Sequence, residues 1–156
     1  MACAVVTHDA IKGAVVRALS AISAGQPIYD ERMLQDFEEP CFFVIETSVS
    51  EEPGLTPYCF REHRIEVSYF PVTEALSHRT QMSQWRERIM DVLRKIMVDA
   101  YVENNQTIRL PVRARNAECR LVEDHITYYA SYRIHCRTPE ISEPMMETLI
   151  QEQHLG

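Results

Sequence analysis

An α+β fold built on a mainly antiparallel sheet with two packed helices, a single domain with a C-terminal extension, is the class this sequence predicts. Three observations lead there. Apolar periodicities follow the order helix, strand, β-hairpin, helix and further antiparallel strands, without the strand–helix alternation of a doubly wound parallel sheet. The 156 residues, 46% hydrophobic and 25% charged, suit one globular domain able to bury a core. Four glycines in all, and no phosphate-binding glycine loop, leave the familiar nucleotide-binding architectures without their main device.

Between Asp9 and Ile22, Ile11, Val15, Leu19 and Ile22 fall on one helical face; Thr7 or Asp9 is available as N-cap, and Gly25 and Pro27 stop the helix. Ile28 to Asp30 reads as a short strand and Asp36 to Pro40 as an acidic loop. Cys41 to Val49, rich in aromatic and β-branched residues, fits a largely buried strand. Two prolines and a glycine between Ser50 and Pro57 make the chain turn, and Tyr58 to Phe70 returns with Ile65, Val67 and Tyr69 alternating against Arg64, Glu66 and Ser68. From Ser77 to Met97 the period is helical, with Trp85, Ile89, Val92, Leu93 and Ile96 on one stripe.

Asn104-Asn105 then turns the chain into an alternating strand from Ile108 to Val112, where Pro111 predicts a sheet edge. Cys119 to Val122 and Ile126 to Cys136 flank a tight turn at Glu123-Asp124-His125 and form a second hairpin. Its long strand should bury Ile126, Tyr128, Ala130, Tyr132, Ile134 and Cys136 and turn Tyr129, Arg133, His135 and Arg137 outward. The domain is expected over residues 1–137. Residues 138–156 form an acidic extension with four glutamates and no lysine or arginine, in which Met145, Met146, Leu149 and Ile150 either cover the body or dock on a partner.

Charge and composition exclude several function classes. A formal charge of −7 disfavours broad affinity for nucleic acid or acidic membranes. No apolar run approaches the roughly 20 residues of a membrane-spanning helix, and no basic residue precedes the short apolar N-terminus, so a cytoplasmic site of synthesis is expected. Five cysteines without a CxxC pair fit a reduced compartment and buried packing.

Candidate chemistry is sparse. There is no GxSxG and no HExxH, and neither a metal nor a cofactor is expected. Cys59 and His63 share a strand face but stand roughly 13 Å apart, too far for a thiol–base pair or a common zinc ion, so a packed thiol and a surface histidine are expected. Cys119 should lie opposite Ala130, so no disulfide to Cys136 is expected. Arg109, Arg113 and Arg115 line one side of the predicted edge strand, and ion pairing within or between subunits accounts for them better than nucleic acid does. The 50–57 turn offers Glu51, Glu52 and Leu55 as further contact residues.

Three segments, Ile28-Tyr29-Asp30-Glu31, Phe37 to Val44 with its PCFFV core, and Arg64 to Pro71 ending in YFP, carry a resemblance. Together with the order of elements, they resemble the phage tail terminator family of Firmicute tailed phages and phage-like elements over about residues 5 to 100, and more weakly to about Arg137. The chain departs from that pattern at Glu123-Asp124-His125, where a glycine is expected, and in the acidic extension. The resemblance implies a non-enzymatic virion protein that caps the tail tube and ends its polymerisation. It implies a homo-oligomeric, sixfold ring joining tail to head–tail connector, assembled in a bacterial cytoplasm, with DNA passing through unread. The alternatives are a head completion or connector protein, a monomeric α+β ligand-binding module outside phage biology, and a small thiol enzyme using Cys59 or Cys41.

Overall fold

The computed structural model describes residues 6–30, 37–72, 78–122 and 124–138. In chain order these form helix α1 (Asp9–Ser20), β1 (Ile28–Tyr29), the hairpin β2 (Cys41–Pro53) and β3 (Tyr58–Phe70), helix α2 (His78–Leu93), and then β4 (Lys95–Glu103), β5 (Gln106–Val122) and β6 (His125–Arg137). One curled six-stranded sheet results, ordered β1-β2-β3-β6-β5-β4. It is mixed, because β1 runs parallel to β2 while the other pairings are antiparallel.

Alternation decides the two faces of the sheet. Phe42, Val44, Ile65, Val67, Tyr69, Ile126, Tyr128, Tyr132 and Ile134 point inward and form one core with Ile11, Val15 and Leu19 of α1 and Met82, Ile89 and Leu93 of α2. Trp85 of α2 closes this layer against Phe42 and Tyr69, with ring centroids 5.7 and 4.6 Å away. The opposite face carries the other half of the same motifs: Phe43 and Phe70 meet edge to face at 5.5 Å, and Phe37 lies against both.

Helix α1 ends at Ser20, two residues before the predicted Ile22, and Ala24 and Gly25 then take positive φ values of 52° and 83°. Its N-cap is His8, with no side-chain cap, in place of the expected Thr7 or Asp9. The start of the helix is held from the sheet instead, where the Arg61 guanidinium donates to the carbonyls of Val6 and Thr7 at 2.8 and 3.1 Å.

Helix α2 stops at Leu93, and β4 occupies Lys95–Glu103, where the helical stripe had been extended to Met97. The sheet captures the backbone at that point. The Leu93 carbonyl accepts the Tyr132 hydroxyl at 2.7 Å, and the Arg94 carbonyl accepts the Ala114 N–H at 2.8 Å. Ile96, Val98 and Ala100 are then buried at two-residue spacing.

Strand β5 is one continuous element, bulged between Arg115 and Glu118 around Asn116 at φ 54°, and not two separate strands. Its first half pairs with β4 and its second half with β6. Because Ala114 donates towards β4, the ring nitrogen of Pro111 points the other way, to the side β6 has not yet reached. The edge predicted from that proline is therefore local. Val122 pairs directly with His125, so the turn is one residue shorter than expected and Cys119 faces Tyr128, not Ala130.

Candidate interaction site

Among the described residues the buried polar groups do not assemble a catalytic centre. His63 is wholly buried; its Nδ1 donates to Glu46 Oε2 at 2.8 Å and its Nε2 accepts from Arg61 Nε at 2.8 Å. Both ring nitrogens are thus used in holding β2, β3 and the entry to α1 together, and burial draws the imidazole below its ordinary pKa. Cys59 lies away from His63 as expected and faces Cys136 across the β3–β6 ladder, the two sulfurs 3.6 Å apart. Burial pushes the thiols of Cys41, Cys119 and Cys136 up to about 11, so none of these three is a ready nucleophile at neutral pH. No group of three or more His, Cys, Asp or Glu side chains suited to a metal ion occurs among the described residues.

The surface is more informative. Strand β2 runs on through Glu51, Glu52 and Pro53, so the turn predicted at 50–57 shrinks to residues 54–57 at the end of a 13-residue hairpin arm. The Gly54 N–H donates to the Tyr58 carbonyl and the Tyr58 N–H to the Leu55 carbonyl, closing the turn and leaving the Leu55 side chain 86% exposed at its tip. A Cβ at Gly54 would come within 3.3 Å of the Tyr58 carbonyl oxygen, a tight fit against backbone. Alternation sends Glu51 and Glu52 to opposite faces of the arm, so they do not act as one acidic pair. Strand β6 braces the arm out to Tyr58↔Arg137, and the N–H and hydroxyl of Thr138 both donate to the Pro57 carbonyl, at 2.8 and 2.7 Å. The chain therefore leaves β6 beside the Leu55 tip. Met145, Met146, Leu149 and Ile150 lie outside the described residues.

Immediately behind the tip, on the outer face, Arg113, Arg115 and Arg133 line an open groove with Phe60, Ile134 and His135. The Arg133 guanidinium sits 4.5 Å over the Phe60 ring, and His135 stacks on the same ring at 4.6 Å. Of the three arginines predicted on one edge, the structure keeps Arg113 and Arg115 together but separates Arg109, which donates to Asp99 at 2.8 Å near Arg17 of α1. Sequence reading had placed Arg133 on a different outward surface and had not singled out Phe60. The signal was present in the alternation of β3 and β6, which puts Phe60, His135 and Arg133 on one face, but the register joining those strands is not written in either alone.

What this end of the molecule presents is an apolar tip, an exit point for an acidic segment and a basic groove. No helix among the described residues is long and apolar enough to cross a membrane. Among curated proteins none matches the chain. A family profile described as Phage tail terminator protein matches residues 10–144, across both helices and all six strands. The chain belongs to the phage tail terminator family, and its role is that of a structural component of the phage tail.

Proposed function

We propose that this protein caps the end of the tail tube, stops its polymerisation and, as a ring of copies with sixfold symmetry, joins the tail to the head–tail connector while DNA passes through unread. The observation that carries the reading is the β2–β3 arm, which projects Leu55 on a stem braced by β6. Held clear of its own chain at the end of a braced hairpin, Leu55 is free to insert into a partner surface. Copies meet through the sheet edges: among the described residues no strand pairs with the outer side of β4, where Arg17 holds the Met97 carbonyl at 2.7 Å and Val102 is 71% exposed.

The test is electron microscopy of tails assembled in cells with and without this protein. With it, tubes of one defined length ending in a ring are expected, and without it, overlong tubes lacking the terminal density. Tubes of the same length distribution and the same ends in both cases would overturn the reading.

A further inference from the structure

The groove gathers three arginines in a chain whose formal charge is −7. Arg133 has a partner in Glu52 at 3.3 Å, and Glu62 stands opposite Arg133 in the ladder. Among the described residues Arg113 and Arg115 have no ion pair, and Arg64, facing Ser131 beside Arg115, extends the positive strip. The floor of the groove is the Phe60 ring. Its complement is a segment that combines carboxylates with flexible apolar side chains.

The chain beyond β6 has that composition. Residues 139–156 hold Glu140, Glu143, Glu147 and Glu152 together with Met145 and Met146, and no lysine or arginine. Thr138 fixes where this segment begins, at Pro57, next to Tyr58, whose ring lies 5.4 Å from that of His135 in the groove. Reach is ample: Glu147 can lie up to ~30 Å of extended chain beyond Thr138, whereas Arg133 is only ~17 Å back along β6.

We propose that the acidic C-terminal segment, residues 139–156, docks in the groove formed by Arg113, Arg115 and Arg133 around Phe60, its glutamates on the guanidinium groups and its methionines on the aromatic floor. This does not depend on the tube-capping reading, and either can fail without the other.

The experiment is digestion of the native full-length chain with a glutamate-specific protease at low salt, following cleavage after Glu140 and Glu147 by mass spectrometry. Reversing charge with R113E/R115E is expected to speed that cleavage about tenfold, the loss of two or three exposed ion pairs. Added salt should speed it in the unaltered chain, which needs no substitution at all. R113K/R115K should keep most of the protection, and R109E, outside the groove, should keep all of it. Protection that survives dilution places the segment on its own subunit, and protection that fades places it on a neighbouring copy; both support the docking. Equal cleavage in the unaltered chain and R113E/R115E, or no response to salt, would overturn it. So would a short DNA duplex that binds through Arg113 and Arg115 while cleavage of the segment is unchanged.

Discussion

At the scale of single residues, the fold leans on a few buried polar side chains that hydropathy does not reveal. Arg61 is 4% exposed and spends its donors on the Val6 and Thr7 carbonyls and on His63. Arg61→Met removes those donors and leaves buried acceptors unpaired, so it is expected to cost about 3 kcal/mol, measured as a shift of the urea midpoint. His63 carries a pH dependence whose sign follows from its surroundings. Burial is the largest influence and favours the neutral ring; Glu46 opposes it, while Arg61 and His8 reinforce it, and the net result is a lowered pKa. The unfolded chain therefore binds the proton more readily than the folded one. Stability is full above the ordinary imidazole value of 6.5 and falls as pH drops below it towards the folded value. Urea titrations between about pH 7 and about pH 5 should show that fall, and His63→Gln should flatten it. Sequence reading placed His63 as a surface histidine because its partners, Glu46 and Arg61, reach it only through the register of β2 on β3 and the fold of α1 onto that arm.

Elements were legible wherever one periodicity ran unopposed. Strand β3 has the predicted bounds, Tyr58–Phe70, and the buried face of β6 is the predicted one, since both alternate cleanly over many residues. The junction of α2 and β4 was not, because Ile96 satisfies the helical stripe of Trp85, Ile89 and Leu93 and also the two-residue spacing of Ile96, Val98 and Ala100. What resolves it is tertiary: Tyr132 and Ala114 take the carbonyls of Leu93 and Arg94 that another helical turn would need. Tyr132→Phe deletes one of those bonds without emptying its site. It should lower stability by about 1 kcal/mol, with the loss of helical signal on heating as the measurement. The arm was under-read for a related reason, since proline and glycine mark a turn but do not say where the ladder ends. Leu55 belongs to that arm and contacts little within its own chain. Leu55→Ser should leave thermal stability unchanged to within about 0.5 kcal/mol while abolishing tube-length control, a separation visible by comparing melting curves with micrographs of the same preparation.

For the whole molecule, the sheet order β1-β2-β3-β6-β5-β4 brings sequence-distant features to one end: the Leu55 tip, the Thr138 exit and the Arg113, Arg115 and Arg133 groove. That convergence could not be read from the chain, because it depends on β6 inserting between β3 and β5, a long-range pairing no local pattern specifies. The class of fold, the resemblance carried by the PCFFV and YFP strands and the lack of catalytic motifs were all readable, and they are properties of local pattern. On the proposed function, this end of the molecule acts by shape, sealing a growing tube. The most direct test is to polymerise purified tail tube protein in the presence of increasing amounts of this protein and to measure tube length by electron microscopy. The expected result is shortening that saturates when each tube carries one terminal ring, with Leu55→Ser inactive at the same concentrations. Tubes that grow to the same length at every ratio, with no added density at either end, would contradict it.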